Sequence, residues 1–158
     1  MAAIPLTVRG AERLQSELHR LKTVERPGVI DAIAEARAQG DLSENAEYDA
    51  ARERQAFVEA RIKELDGTLS NAQIIDPGEL DVDGKAVFGA TVEIEDLDSG
   101  DRVTYQIVGD VEADIRANLI SVSSPVARAL IGKEEGDVVE VHAPAGTREY
   151  EIISITYV

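Results

Sequence analysis

Asp41 and Glu44 are separated only by Leu42 and Ser43, and at that spacing two carboxylates turn toward one point. One reading is structural. Acidic residues favour the positive end of a helix dipole, and Asp41 with Glu44 has the form of a capping box. The other reading is chemical: the pair holds Mg²⁺, a hard cation that takes oxygen ligands, keeps several waters and usually also needs substrate phosphates. Two carboxylates on an exposed turn hold such an ion weakly, which disfavours a freestanding nuclease and favours a tip that completes a partner's metal site. Arg37 and Arg52 lie at matching depths on either side of this turn. They are placed either to guide a phosphate strand toward the tip or to form a solvated pair balanced by Glu35 and Glu53. Tyr48, just past the turn, either caps an apolar seam or stacks against a base.

Such a tip needs a rigid support, and the flanking sequence supplies one. Leu14, Leu18, Leu21 and Val24 recur at helical spacing, as do Val58, Ile62, Leu65, Leu69 and Ala72, the pattern of an antiparallel coiled-coil pair. The stretch Gln39-Gly40-Asp41-Leu42-Ser43-Glu44-Asn45 reads as the reversal, with an N-cap for the second helix in Asp41 or Ser43. Pairing Leu14 with Ile75, Leu18 with Ala72, Leu21 with Leu69, Val24 with Leu65 and Ile33 with Phe57 keeps the sum of the two residue numbers nearly constant. That puts the apex near Glu44 and Asn45. At about 1.5 Å per residue the arm projects on the order of 50 Å. Pro27 predicts a kink or a helix restart.

After Ile75, Asp76-Pro77-Gly78-Glu79 and Asp81-Val82-Asp83-Gly84 carry two turn signals. Val92/Ile94 and Val103/Tyr105/Ile107 then alternate around Asp98-Ser99-Gly100-Asp101 and predict a β-hairpin. Leu119 to Val122, Val138 to Val141 and Tyr150 to Tyr157 have strand composition, with Pro144-Ala145-Gly146 turning between the last two. Ser124-Pro125 and Gly132 bracket a short helix. The expected architecture is α+β in two domains: a coiled-coil hairpin over residues 1–75, a linker over 76–84 and a globular domain over 85–158.

Composition narrows the classes of function. The chain has no Cys, two His and a formal charge of −15, which removes disulfide scaffolds, Cys-ligated zinc and thiol nucleophiles. His19 and His142 share no ligand spacing. Up to and including Ile75 there are 13 acidic and 10 basic residues, against 18 and 6 from Asp76 onward, so most of the negative charge lies in the second half. A field of that sign repels free nucleic acid and makes a protein the default partner. No apolar run approaches a membrane span, no targeting segment is evident, and neither a P-loop nor a dinucleotide fingerprint occurs. The reading is of a soluble, cytoplasmic protein with no membrane partner and no free nucleic-acid binding of note.

Two long stretches carry a resemblance. Ile33-Ala34-Glu35-Ala36-Arg37, Gly40 through Tyr48 and Ala51-Arg52-Glu53 resemble the tip signature of bacterial transcript cleavage factors of the GreA type. Ile120 through Lys133 resembles that family's carboxy-terminal signature. The resemblance implies an FKBP-like C-terminal domain docked at the rim of the secondary channel of RNA polymerase, through a surface among residues 105–135, with the coiled-coil arm inside the channel. It implies that Asp41 and Glu44 are donated to the polymerase active site, where they share a Mg²⁺ and help cut backtracked RNA. By the same resemblance Arg37 and Arg52 contact the 3′ end of that RNA, and Ser43, Asn45 and Tyr48 support the tip. The protein is then an activator of the polymerase's own cleavage and not itself an enzyme. The competing readings are a channel-binding inhibitor, an FKBP-like isomerase or chaperone, and a plain structural adaptor.

Overall fold

The computed structural model describes residues 3–40, 45–80 and 83–158, so Asp41, Ser43 and Glu44 lie outside the described residues. The architecture is α+β, in two compact units: residues 11–72, and residues 3–10 with 73–158. The division expected from sequence placed all of residues 1–75 in the arm. In the structure residues 3–10 group instead with the C-terminal unit, because Ile4–Thr7 forms a strand, β1.

The first unit is built on helices α1 (Val8–Arg20), α2 (Arg26–Ala38) and α3 (Ala46–Ser70). Pro27 lies in the first turn of α2, so the expected restart with proline at a first-turn position is what the structure shows. A π-helical turn, Leu21–Glu25, joins α1 to α2, and the Arg26 N–H reaches back to the Leu21 carbonyl. Proline has no N–H to give and its ring crowds the preceding turn, so a wider turn just before it relieves the conflict. The extra residue also shifts the phase of the apolar face. Ala11, Leu14 and Leu21 are buried, but the next buried positions are Val29, Ile33 and Ala36, while Val24 is 57% exposed.

Facing them, α3 buries Ala51, Val58, Ile62, Leu65 and Thr68, and leaves Phe57 69% exposed. The expected seam pairs Val24 with Leu65 and Ile33 with Phe57 are therefore not seam contacts. The pairs that used Ala72 and Ile75 fail for a different reason. The Asn71 side chain donates to the Gly67 carbonyl at 2.9 Å and closes the helix, after which Ala72–Ile75 runs as strand β2, paired with β1. Cross-helix ion pairs flank the seam: Arg26 grips Glu59 through two bonds of 2.9 Å, Arg61 grips Glu17 at 2.7 and 2.8 Å, and Arg54 meets Glu25 at 2.6 Å.

The second unit is organised by a five-stranded sheet in the order β5-β4-β3-β7-β6. Its strands are β3 (Thr91–Asp96), β4 (Arg102–Val108), β5 (Leu119–Ser121), β6 (Val138–Ala143) and β7 (Gly146–Thr156). The β3–β4 hairpin turns through Gly100 at φ +77°, a backbone angle that favours glycine. Asp96 organises that turn, accepting from the Asp98 N–H at 2.9 Å and from Arg148 at 2.7 Å. These partners hold its carboxyl below the usual range, the Asp98 N–H first and Arg148 second. Helix α4 (Pro125–Leu130) is capped by Ser124, whose hydroxyl accepts from the Ala127 N–H at 3.2 Å. The core includes Val92, Ile94, Ile107, Ile120, Ala127, Leu130 and Ile152.

A buried carboxylate fastens β1 into this unit. Glu112 is 6% exposed and accepts from the Thr7 N–H at 2.9 Å, the Thr7 hydroxyl at 2.8 Å and the Gly109 N–H at 2.9 Å. A Cβ on Gly10 would fall 1.3 Å from a Glu112 carboxylate oxygen, and one on Gly109 would fall 2.2 Å from the Pro5 carbonyl oxygen. Both glycines are there for close approach.

Candidate functional site

The helical tip is set by how α2 stops and α3 starts. The Gln39 N–H bonds the Ala36 carbonyl at 3.2 Å, and Gly40 follows at φ +117°, taking the chain out of the helix. The cap of α3 is Asn45, with its Oδ1 accepting from the Tyr48 N–H at 3.0 Å. That corrects the expected cap at Asp41 or Ser43. The capping-box reading of Asp41 with Glu44 lies outside the described residues. Asn45 does a second job: its Nδ2 donates to the Ala36 carbonyl at 2.7 Å and ties the end of α2 to the start of α3.

Three of the residues singled out from sequence come together here. The guanidinium carbons of Arg37, on α2, and Arg52, on α3, each lie 5.9 Å from the centre of the Tyr48 ring, within cation–π range. Arg52 Nη1 also donates to the Tyr48 hydroxyl oxygen at 3.3 Å. The phenol is held below its ordinary pKa, first by a hydrogen bond from Arg37; burial opposes that lowering, and the charge and hydrogen bond of Arg52 add to it. Among the described residues neither arginine is paired with Glu35 or Glu53; the arm's cross-helix ion pairs use Lys22, Arg26, Arg54 and Arg61. Tyr48 is half-buried rather than sealed in the seam.

The sequence named Arg37, Arg52, Asn45 and Tyr48 separately but not their mutual contacts. One signal was available: Tyr48 and Arg52 are one helical turn apart, at i, i+4. Asp41, Ser43 and Glu44 fall outside the described residues, and among those described no group of three or more His, Asp or Glu is placed to hold a metal ion.

The C-terminal unit has its own polar cluster inside the expected docking stretch. Asp110 accepts from the Ser121 hydroxyl and, at 2.8 Å, from the Ser123 hydroxyl. These two hydroxyls hold its carboxyl below the usual range. An adjoining open groove is lined by Ser123, Pro125, Arg128, Ala129, Glu140 and His142.

Two family sequence models together cover nearly the whole chain: transcription elongation factor, N-terminal, over residues 4–74, and transcription elongation factor, GreA/GreB, C-term, over residues 66–157. The chain belongs to the GreA/GreB family of transcription elongation factors. It is 68% identical over 157 residues to transcription elongation factor GreA of Verminephrobacter eiseniae, covering 99% of each chain. It is 66% identical to GreA of Alkalilimnicola ehrlichii, again over 99% of each, and 63% identical to GreA of Neisseria meningitidis over the full length of both. Among solved structures it is similar to Gfh1 of Thermus thermophilus, a GreA factor homolog, at 34% identity over 97% of this chain and 98% of that one, with a TM-score of 0.44. No helix among the described residues is long and apolar enough to cross a membrane.

Proposed function

We propose that this GreA/GreB-family chain is a cytoplasmic transcript cleavage factor that works on RNA polymerase. Its helical tip enters the secondary channel, and its own carboxylates complete the polymerase's active site for cutting backtracked RNA. The observation that carries this reading is the tip sequence Gly40-Asp41-Leu42-Ser43-Glu44-Asn45, set between two helices whose ends are clamped together by Asn45. Asn45 supplies the cap of α3 through the Tyr48 N–H.

Asp41 and Glu44 are hard oxygen donors, suited to Mg²⁺ but too few to fill its octahedral shell, so the remaining ligands belong to the polymerase and the RNA. When bound in such a shared site, the ion supplies charge neutralisation and an activated water for phosphodiester hydrolysis. Asp41 and Glu44 hold and orient it there. Arg37 and Arg52 hold the phosphates of the RNA 3′ segment in register with them, and Ser43 sits between the two carboxylates as tip support. The chain is thus an activator of a reaction that belongs to the polymerase.

Asp41→Ala and Glu44→Ala test this. Each is expected to abolish stimulated cleavage of a backtracked complex while polymerase binding stays within about twofold of wild type, as for groups that act only in the transition state. Wild-type cleavage by both variants would remove the carboxylates from the chemistry.

A further inference from the structure

We propose that Tyr48 is a positioning residue whose ring gathers Arg37 and Arg52, from two different helices, into one preformed cationic clamp for a phosphodiester of single-stranded RNA. The inference rests on the cleavage-factor reading for what reaches the tip, and on the tip's own geometry for the clamp. Two guanidiniums on facing helices repel each other, and both are long, flexible side chains. Left alone they would point apart into solvent. Here both lie 5.9 Å from the same ring centre, where the ring's negative face attracts each cation, and Arg52 is further held by the Tyr48 hydroxyl oxygen at 3.3 Å.

The ring is itself anchored. The Tyr48 N–H bonds the Asn45 side chain at 3.0 Å, and the same side chain grips the Ala36 carbonyl at 2.7 Å, next to Arg37. One residue therefore ties the backbone that carries Arg37 to the turn that carries Tyr48. A pair of planar, multi-donor forks fixed before the ligand arrives matches the geometry of a phosphodiester and loses little freedom on binding it. Seam packing does not explain the arrangement, since the seam of α3 is made by Ala51, Val58, Ile62 and Leu65. A base stacked on Tyr48 is the rival use of the ring.

The test uses the full chain on backtracked elongation complexes, comparing Tyr48→Leu, Tyr48→Phe, Arg37→Ala, Arg52→Ala and the doubles of Tyr48→Leu with each arginine change. Tyr48→Leu is expected to lower the saturating cleavage rate by roughly fivefold to tenfold, the size of lost cation–π contacts, with the half-saturating factor concentration within about twofold of wild type. Tyr48→Phe, which keeps the ring, should recover most of that loss. Each double should lose less than the product of its single losses, because both substitutions dismantle one clamp. In the free protein, the side-chain Nε–Hε resonances of Arg37 and Arg52 should move in Tyr48→Leu but little in Tyr48→Phe. Strictly multiplicative losses, cleavage at the wild-type rate by Tyr48→Leu, or a loss that depends on which base is 3′-terminal would overturn the clamp. If Asp41→Ala is inactive while Tyr48→Leu cleaves normally, only the clamp fails; if Asp41→Ala also cleaves normally, the cleavage-factor reading fails with it.

Discussion

The side-chain amide of Asn45 donates to the carbonyl of Ala36 at 2.7 Å, so the residue that starts α3 also holds the end of α2. Its Oδ1 meanwhile caps α3 through the Tyr48 N–H. Asn45→Ala removes both bonds and should cost about 1–3 kcal/mol of arm stability, read by thermal melting. Asn45→Asp separates the two roles. It keeps an acceptor for Tyr48 but presents oxygen to the Ala36 carbonyl, so exchange protection of the Tyr48 amide should persist in Asn45→Asp and be lost in Asn45→Ala.

The π-turn before Pro27 predicts which apolar residues matter. Leu65→Ala, at a position 2% exposed, should destabilise the arm by about 2–5 kcal/mol, as for buried leucines elsewhere. Phe57→Ser and Val24→Ser, at exposed positions, should each stay within about 0.5 kcal/mol of wild type. Urea unfolding of the three variants checks the assignment, and a large loss at Phe57 would contradict it.

That phase shift marks what the sequence could and could not convey. Helical spacing identified two arm helices and a reversal near Gly40 because periodicity is a local property, and Gly100, Ser124 and Gly132 announced their turns and caps for the same reason. The π-turn is a compromise between Pro27 and the facing helix, so pattern alone assigned Val24 to the seam. Ile4–Thr7 and Ala72–Ile75 are four-residue strands that exist only by pairing with each other. At the tip, Arg37, Arg52, Asn45 and Tyr48 were legible as residues, but the cluster they make depends on side-chain directions across two helices.

The buried Glu112 offers a separate test in the C-terminal unit. Glu112→Ala leaves the buried N–H groups of Thr7 and Gly109 without their acceptor, and should cost about 2–4 kcal/mol. Hydrogen exchange at those two amides should rise sharply while that of Ile94 and Ile152, in the core of the sheet, changes less. Gly10→Ala, which would drive a methyl into the Glu112 carboxylate, should produce the same pattern.

Acid should loosen the arm in a definite direction. Hydrogen bonds from Arg61, Arg54 and Arg26 hold the carboxyls of Glu17, Glu25 and Glu59, respectively, below the ordinary value of 4.5. A depressed carboxyl pKa stabilises the fold fully above the unfolded value, and that contribution is lost as pH falls through the lower native value. The melting temperature of the arm should therefore be flat near neutrality and fall below about pH 4.5, the reference for an unpaired glutamate. These pairs are partly exposed, so added salt should shrink the effect.

The most direct measurement follows labelled RNA in a backtracked bacterial elongation complex while Mg²⁺ is titrated, with wild-type protein, with Asp41→Asn, and with no factor. If the tip carboxylates complete a shared metal site, the wild type should release short 3′ fragments at Mg²⁺ concentrations where the complex alone is nearly inert, and Asp41→Asn should need far more Mg²⁺ for the same rate. Wild-type protein that binds the complex yet releases no fragment at any Mg²⁺ concentration would contradict the account and leave a channel-binding inhibitor in its place.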